Sequence, residues 1–311
     1  MKLLMFRHQD ERRMGVARED AAQDVVDLTS LARAAGASSL PADLLGLIDA
    51  DDAGLGLVRE LLALPPSTVG PHVRKLTGLA LLAPLDPPRG DVLAIGRNYG
   101  KHASESAQAW GEEVKPPTVF SKAQTSVTGP FDDIAVDPRI SEQIDWEVEL
   151  GVVIGRTALN LKPADAMRHV FGYTVVNDIS ARDIQNGWGG QYFKGKSLDR
   201  SSPIGPWIVT ADEIPDPQHL RLSLRVNGVT KQDGNTADML YPVAQVIAWL
   251  SIGMTLRPGT LIATGTPDGV GFARTPPEFL RPGDVLETEV EGIGLMRNRM
   301  VSSTVLAERE R

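Results

Sequence analysis

The alternation of apolar and polar residues is clearest over residues 144–155, where it predicts a β-strand that runs into a buried apolar end. Successive strand residues point to opposite faces, so Trp146 and Val148 share one face while Glu147 and Glu149 share the other. Two such acids repel each other, and burying them is costly unless one is protonated or a cation lies between them. The strand therefore indicates a divalent metal site. The alternative is a half-exposed strand with two solvated glutamates.

The same pattern predicts strands and helices elsewhere in the chain. The predicted strands cover residues 2–6, 91–96, 171–178, 221–228 and 260–267, and a final strand begins at 282 with Glu287 and Glu289 solvated. The predicted helices cover 163–170, with proline in the first turn, a segment around 55–62 and residues 239–250. The chain thus mixes both element types and is rich in strands.

Composition and charge narrow the class of protein. The 311 residues are 42% hydrophobic and 23% charged, which suffices for a sizeable core, and the formal net charge is −8. An acidic chain without a long basic run argues against nucleic acid or an acidic membrane as partner, so small molecules or a second copy of the chain are expected. The absence of cysteine excludes disulfides and thiolate sites. No apolar run is long enough to span a bilayer, and we expect a cytoplasmic protein.

A change in composition at residues 83–90, APLDPPRG, predicts a linker. We place a domain boundary there, with a small N-terminal domain over 1–85 and a catalytic domain over 86–311. His8 and His72 in the first part have no ligand-spaced companions, and we expect structural or surface roles for both.

Candidate acid, base and ligand residues occur in the second part. His102 and Glu105 would share one face of a helix, where the carboxylate can orient the imidazole or take its proton, although such pairs are often simply exposed. Asp178 ends a predicted strand and can add a third carboxylate to Glu147 and Glu149, unless it is only a turn residue. Three carboxylates suit Mg²⁺ or Mn²⁺ and leave about three coordination positions for water and a chelating substrate.

The residues GQYFKGKS at 190–197 satisfy the letters of a phosphate-binding P-loop. Such a loop should leave an apolar strand and open a long helix, whereas polar residues precede this stretch and Pro203 follows it closely. This context argues against nucleotide hydrolysis. Lys196 keeps its interest because an ammonium near a metal can stabilise an enolate or a carboxylate.

Several motifs follow one another between residues 90 and 302. They are Asn98-Tyr99-x-x-His102-x-x-Glu105, Asp145-Trp146-Glu147-Val148-Glu149-Leu150, Asn177-Asp178-Ile179-Ser180-Ala181-Arg182-Asp183-x-Gln185, Gly195-Lys196-Ser197, Pro203-Ile204-Gly205-Pro206 and Gly265-Thr266-Pro267-x-Gly269-Val270-Gly271. This ordered set resembles the fumarylacetoacetate hydrolase family. The resemblance implies an α+β, β-rich fold, namely a mixed β-sandwich roll with a small α/β N-terminal domain, in a protein that is usually a homodimer.

The resemblance also implies roles for individual residues. They are Mg²⁺ or Mn²⁺ binding by Glu147, Glu149 and Asp178, water activation by His102 and Glu105, assistance at the metal by Lys196, and substrate contact by Arg182, Gln185 and Thr266. The chain departs from the family pattern at two places near the expected pocket. Arg97 stands where an apolar residue is common, and the stretch 199–202 replaces a commoner Asp-Thr-Phe run.

A site of this kind would act on a 2-oxo acid that chelates the metal through its carboxylate and keto oxygens. With a 2,4-diketo acid of the acylpyruvate type, His102 and Glu105 would activate a water that attacks C4, and cleavage would release a carboxylic acid and a metal-bound pyruvate enolate. Without water attack, the site would decarboxylate or tautomerise oxaloacetate, or isomerise 2-hydroxyhepta-2,4-diene-1,7-dioate. A remote alternative is a non-catalytic metal-binding module. The complete His-x-x-Glu pair favours hydrolysis.

Overall fold

The computed structural model describes residues 1–18, 23–100 and 118–304. The predicted acid–base pair, His102 and Glu105, lies outside these residues, so its arrangement stays a prediction. None of the helices in the described ranges has the length and apolar character needed to cross a bilayer.

The described residues form a strand-rich α+β fold, as expected from the sequence. The strands are β1 (Lys2–His8), β2 (Glu11–Ala17), β3 (Asp24–Asp27), β4 (Val73–Lys75), β5 (Ala80–Leu82), β6 (Val92–Gly96), β7 (Thr118–Lys122), β8 (Val127–Thr128), β9 (Ile134–Val136), β10 (Ile144–Asp145), β11 (Val148–Ile154), β12 (Val170–Asn177), β13 (Ser180–Ala181), β14 (Ser202–Thr210), β15 (Arg221–Val226), β16 (Val229–Asn235), β17 (Leu261–Ala263), β18 (Val285–Val290) and β19 (Gly294–Ser302). The α-helices are α1 (Leu28–Ala34), α2 (Leu44–Asp49), α3 (Asp51–Leu62), α4 (Pro66–Val69), α5 (Pro163–Ala166), α6 (Arg182–Gly187), α7 (Phe193–Lys196) and α8 (Val243–Leu250). Short 3₁₀ turns occupy Gly70–His72, Leu76–Gly78, Gln124–Ser126, Met167–His169, Ala211–Glu213, Thr236–Asp238 and Gly271–Ala273.

One large sheet runs through both parts of the chain in the order β4-β3-β2-β1-β14-β12-β11-β17-β6-β7, with β5 beside β1 and β8 beside β14. The N-terminal strands join it through β1, whose Lys2 pairs with Val209 of β14 in antiparallel register. Most neighbours are antiparallel, whereas β17 and β6 are parallel. Hydrogen bonds of this single sheet connect the residues before position 85 with those after it. The domain boundary predicted near residue 85 therefore stays a prediction.

A second sheet, in the order β16-β15-β18-β19-β9, packs against one face of the large sheet. Leu150 and Val152 of β11 lie in the core between the two sheets, together with Leu224 and Leu286 from the second sheet. Val153 of β11 points the other way, into a core that the N-terminal helices α1, α2 and α3 close. The central strands are therefore buried on both faces, which explains their nearly continuous apolar sequence.

Several predicted elements are confirmed with adjusted bounds. The hairpin turns at Asn227 and Gly228, where both residues have positive φ, and α3 covers the predicted helical segment before Pro65. The helix predicted over 239–250 begins only at Val243, because Pro242 stands at its N-cap and a 3₁₀ turn precedes it. The strand predicted over 260–267 is shorter than expected and ends at Ala263, where the chain turns towards the candidate site.

Glu287 and Glu289, predicted as solvated, lie on a partly covered face of β18. Their side chains are 26% and 45% exposed, and both pair with Arg225, at 3.0 and 3.5 Å. The prediction is thus correct for Glu289, while Glu287 is more buried than expected because the neighbouring strand β15 supplies its cation.

Candidate active site

Three carboxylates converge where β11 begins and β12 ends. Glu149 lies in β11, Glu147 immediately precedes that strand, and Asp178 immediately follows β12. All three residues are at most 5% exposed, and each offers an oxygen within 4.8 Å of the other two. The structure thus brings the three predicted metal ligands together.

An interruption of the predicted strand sets this geometry. The segment 144–155 is not one strand, because Trp146 and Glu147 belong to neither β10 nor β11. The side chain of Asp145 accepts the N–H groups of Trp146 and Gly271, at 2.8 and 2.7 Å, in place of a regular ladder. Across the gap, the N–H of Asp178 donates to the carbonyl of Glu147 at 2.9 Å. Glu147 and Asp178 therefore face the same interior space.

Among the described residues, Glu149 has fewer cationic partners than Glu147 or Asp178. Its carboxylate accepts one backbone N–H, from Gly265 at 2.8 Å. Burial and the nearby charges of Asp178 and Glu147 hold the pKa of Glu149 well above its usual range. Gly265 has φ +100°, and a Cβ there would lie 2.8 Å from the Cβ of Asn98, so glycine is required for this close approach.

The donor set fits a hard divalent cation. All three groups are carboxylates, which Mg²⁺ and Mn²⁺ prefer. Burial and the two neighbouring carboxylates raise the pKa of Glu149, so a positive charge beside it would favour its ionised form. A divalent ion bound by Glu147, Glu149 and Asp178 would supply that charge.

Lys196 is the predicted lysine of the site, and it lies between two of the carboxylates. Its Nζ donates to Glu147 at 2.9 Å and to Asp178 at 2.7 Å. Burial lowers the pKa of Lys196, but the attraction of Asp178 and Glu147 outweighs it and raises that pKa overall. Lys196 therefore carries a positive charge at the edge of the cluster.

The structure explains why residues 190–197 match the P-loop pattern. Helix α7 is only four residues long, so no extended helix follows the glycine-rich stretch. A Cβ on Gly195 would lie 2.4 Å from the backbone nitrogen of Gln185 and 2.8 Å from the carbonyl oxygen of Ala181. Gly195 therefore lets α7 pack directly on α6 and bring Lys196 to the carboxylates. This arrangement agrees with the sequence argument against nucleotide hydrolysis.

A second lysine, Lys122, was not assigned a role from the sequence. It ends β7, is fully buried, and donates to Asp178 at 2.6 Å and to the carbonyl of Ile179 at 3.0 Å. Burial lowers the pKa of Lys122, although the attraction of Asp178 opposes this shift. The available signal was that Phe120 and Lys122 are two residues apart and would share one face of a strand, although no strand was predicted there.

Arg182 at the start of α6 joins the carboxylates to the rest of the site. Its Nε donates to Asp145 at 2.8 Å, its Nη1 donates to Gln185 at 3.0 Å, and its Nη2 lies 2.6 Å from Glu147. Burial opposes ionisation, but the attraction of Asp145 and Glu147 raises the pKa of Arg182 overall. Asp145, which was named only as part of a motif, is therefore the buried counter-ion that orients this arginine.

The comparisons with known proteins bear on this arrangement. The family model for the fumarylacetoacetate (FAA) hydrolase C-terminal region matches residues 91–301. The chain belongs to the fumarylacetoacetate hydrolase family. The matched region contains the carboxylates, both lysines and Arg182.

Individual members of the family differ in the activities that they are named for. A mitochondrial oxaloacetate tautomerase of Bos taurus is 40% identical over 269 residues, covering 85% of this chain and 81% of its own length. The structure of fumarylacetoacetate hydrolase from Exiguobacterium antarcticum superposes with a TM-score of 0.79 at 36% identity, covering 97% of this chain and 99% of that one. Maleylpyruvate hydrolase from Sphingobium sp. SYK-6 gives 0.75 at 28% identity, covering 97% and 100%.

The candidate site opens into a small cleft between the sheet and helices α6 and α7. Its walls are formed by Ile95, Gly96, Arg97, Phe120, Glu147, Arg182, Gln185, Tyr192, Lys196 and Thr266. The hydroxyl of Thr266 donates to the carbonyl of Val148 at 2.8 Å and accepts from Gln232 at 2.8 Å. Both partners of this hydroxyl are protein groups, so the contacts of Thr266 stabilise the position of β11. Its contact with substrate, like that of Gln185, stays a prediction.

Proposed function

We propose that this family member is a divalent-metal-dependent enzyme that hydrolyses a carbon–carbon bond in a 2,4-diketo acid of the acylpyruvate type. The observation that carries the proposal is the buried cluster of Glu147, Glu149 and Asp178, with cationic side chains at its edge and a cleft beside it. Burying three carboxylates destabilises a fold unless a cation compensates them, and clusters of this kind are concentrated at functional sites.

Mg²⁺ or Mn²⁺ held by these carboxylates would supply a Lewis acid for the carboxylate and keto oxygens of a 2-oxo acid. The chain's own side chains orient and compensate the ligands. Lys196 and Arg182 both contact Glu147, which fixes the direction of that carboxylate. The same two cations line the cleft, where their charge stabilises negative charge that develops on a bound substrate.

The proton-transfer steps are assigned to His102 and Glu105. His102, oriented by Glu105, takes a proton from a water as its oxygen adds to C4 of the diketo acid. The bond between C3 and C4 then breaks, and its electron pair stays on C3 as the enolate of pyruvate. A proton delivered to C3 completes pyruvate, and the former C4 leaves as a carboxylic acid.

Oxaloacetate chemistry is the second candidate function, and the 40% identity to an oxaloacetate tautomerase supports it. Tautomerisation or decarboxylation would use the same carboxylates without adding water. Isomerisation of 2-hydroxyhepta-2,4-diene-1,7-dioate follows the same logic, and a solved structure from Mycobacterium marinum named as this isomerase is 29% identical.

The deciding experiment measures pyruvate formation by metal-stripped protein, with and without Mg²⁺ or Mn²⁺, on acetylpyruvate and oxaloacetate in parallel. We expect metal-dependent cleavage of acetylpyruvate that is lost in His102→Ala. Pyruvate formation from oxaloacetate alone would replace hydrolysis by the decarboxylase function. Faster interconversion of enol and keto oxaloacetate without pyruvate, followed by ultraviolet absorbance, would replace it by the tautomerase function. If neither acid were consumed, the dienoate would be tested next and the hydrolase proposal would be abandoned.

Glu147→Ala separates an enzyme from a non-catalytic metal-binding module. We expect the variant to keep its far-UV circular dichroism and lose pyruvate formation, because a catalytic metal site is not needed to complete the core. The control is Glu60→Ala, which removes an exposed glutamate of α3. Loss of folding in Glu147→Ala, together with loss of folding of the wild type when its metal is removed, would instead indicate a structural metal.

We also propose that the protein is a cytoplasmic homodimer. The support for the dimer is the family resemblance, and light scattering coupled to size exclusion tests it directly. A mass equal to that of a single chain would contradict the dimer.

A further inference from the structure

Gln232 is a buried side chain of the second sheet that the proposed reaction does not use. It lies in β16 and is 1% exposed. Its Oε1 accepts the N–H of Val148 at 3.0 Å, and its Nε2 donates to the hydroxyl of Thr266 at 2.8 Å and to the carbonyl of Pro267 at 2.9 Å. A backbone N–H can only donate and a carbonyl can only accept, so Val148 and Pro267 fix which end of the amide faces Thr266.

The hydroxyl of Thr266 is left with an acceptor function. A threonine hydroxyl has one proton and two lone pairs. The proton of Thr266 is donated to the carbonyl of Val148 at 2.8 Å, and one lone pair accepts from Gln232. Within the part of the chain that the structure describes, the second lone pair is unused. Because Thr266 is part of the cleft wall, a ligand there meets a hydroxyl that accepts a hydrogen bond.

The end of a strand ladder keeps the proton of Thr266 on the carbonyl of Val148. The ladder between β11 and β17 reaches Gly151 and stops short of Val148. Threonine hydroxyls take over from the strand there, since Thr264 donates to the carbonyl of Leu150 at 2.8 Å and Thr266 donates to that of Val148. A buried carbonyl that loses its donor destabilises the fold, so turning the Thr266 proton towards a ligand is unfavourable.

An acceptor at this wall distinguishes between ligand oxygens. An ionised carboxylate or a keto group has lone pairs only, and these would face the lone pair of Thr266. A hydroxyl group or a water can donate to it. Val148, which Thr266 and Gln232 hold by its carbonyl and its N–H, lies between two of the predicted metal ligands. Thr266 is therefore placed near the oxygens that a metal at this site would bind.

We propose that Gln232 is a positioning residue that fixes the hydroxyl of Thr266 as an acceptor, so that this wall of the cleft binds a ligand oxygen that carries a proton. The proposal deepens the proposed function and rests on it for the presence of a 2-oxo acid in the cleft. The O–H group belongs either to the enol form of that acid or to the water that adds to it. Gln232 itself does not contact the ligand.

Binding of two small acids tests the proposal without relying on turnover. The probes are pyruvate and 2-hydroxypropanoate, the latter as both enantiomers, which carry the same charge and differ in a keto or a hydroxyl group on C2. Their affinities for Mg²⁺-loaded protein are measured by ligand-observed NMR, which suits weak binding. We expect Thr266→Val to lower the affinity for one hydroxy acid by about 3- to 10-fold, as for the loss of one hydrogen bond, and to leave that for pyruvate unchanged. Thr266→Ser keeps the hydroxyl and should restore the wild-type ratio of affinities.

Gln232→Met should change the ratio of affinities in the same direction, because the Thr266 hydroxyl loses the donor that orients it. The double variant of Gln232→Met and Thr266→Val should show no further change, since both substitutions act through one hydroxyl. Gln232→Glu keeps the acceptor for the N–H of Val148 but loses the donor to Thr266. It should show the same loss, and it replaces Gln232→Met if that variant does not fold.

Gln218→Met is the matched control. Gln218 also accepts a backbone N–H, from Val243 at 2.7 Å, and donates to a carbonyl, that of Thr236 at 2.8 Å, but it is not part of the cleft wall. Its substitution should leave the ratio of affinities for the two acids unchanged, even where it lowers the unfolding temperature. A purely structural role of Gln232 would likewise change both affinities by the same factor.

Hydrolysis of acetylpyruvate by the same variants distinguishes the two sources of the O–H group. A selective loss of affinity for the hydroxy acid identifies the hydroxyl of the substrate. Unchanged affinities for both acids, with kcat lowered at constant KM in Thr266→Val and Gln232→Met, identify the water.

The remaining outcomes separate this proposal from the proposed function. Equal losses of affinity for the two acids, or no change in affinity and kcat in Thr266→Val and Gln232→Met, would overturn the role of Gln232 and leave hydrolysis by the wild type standing. A selective loss for the hydroxy acid in a protein that does not hydrolyse acetylpyruvate would retain the role of Gln232 and contradict hydrolysis. A wild type that binds neither acid and hydrolyses no acetylpyruvate would overturn both.

Discussion

Asp178 shows how single residues set the charge of this site. One of its oxygens accepts from Lys122 and the other from Lys196, at 2.6 and 2.7 Å. The two lysines respond differently, since burial lowers the pKa of Lys122 while the attraction of Asp178 and Glu147 raises that of Lys196. Lys196 is thus held more firmly in its charged form than Lys122.

Lys122→Met should strongly destabilise the protein. The methionine fills a similar volume but leaves Asp178 with one lysine fewer, and breaking a buried ion pair costs about 3–5 kcal/mol. Urea unfolding of metal-free protein measures this change in the free energy of unfolding, and the pyruvate assay should show a parallel loss of activity.

The matched control is Lys75→Met. Lys75 pairs with Asp24 at 2.5 Å, a distance close to that in the buried pair, but its side chain is 72% exposed. Solvent screens such a pair, so its loss should change the free energy of unfolding by less than about 1 kcal/mol. Equal effects of the two substitutions would show that burial does not strengthen the Lys122 contact.

At the scale of elements, the site depends on two short helices and an interrupted strand. The gap between β10 and β11 lets Asp145 turn inwards and hold Arg182, while α7 lies on α6 and delivers Lys196. These elements are too short to be stable alone, so their positions depend on close packing with their neighbours.

Gly195→Ala tests the contact between these helices. The added Cβ would meet backbone atoms of Gln185, which cannot move cheaply, so α7 should shift and carry Lys196 away from its carboxylates. We expect a loss of about 1–3 kcal/mol in the free energy of unfolding, as for other overpacked sites, together with reduced pyruvate formation. Chemical denaturation and the pyruvate assay measure the two effects.

Gly187→Ala provides the comparison, because a Cβ at Gly187 would have nothing within 4 Å. This variant at the end of α6 should match the wild type in both measurements. If Gly195→Ala behaved in the same way, the close approach of α7 to α6 would not be needed for the site.

At the scale of the whole molecule, the carboxylate cluster couples stability to pH and to metal. The pKa of Glu149 is raised above its ordinary value of 4.5 by burial and by its acidic neighbours. A carboxyl with a raised pKa in the folded state weakens the fold as the pH rises from that ordinary value through the raised one, since the unfolded chain ionises more readily. Metal-free protein should therefore lose stability over this range, and a bound divalent ion should restore it.

The rise in unfolding temperature on adding Mn²⁺ or Mg²⁺ should consequently be small near pH 5 and larger near pH 8. A thermal-shift titration over this range measures it, with Ca²⁺-free buffers and chelator-treated protein. Glu149→Gln should remove most of the response, whereas Glu60→Gln should keep it. A metal response that does not change with pH would contradict the raised pKa of Glu149.

The sequence by itself determined the strand-rich class, the helical segment ending at Leu62 and the ordered motifs of the family. These properties depend on local periodicity and on residue identity, which can be read along the chain.

Only the tertiary structure decided which side chains compensate the acids. Lys122 lies 56 positions from Asp178, and Lys196 lies 49 from Glu147. Periodicity fixes the face on which a residue lies but not the neighbour that it meets, because the order of strands in the sheet sets that contact. The roles of Lys122 and Asp145 therefore became visible only when β7, β11 and β12 were placed around the carboxylate cluster.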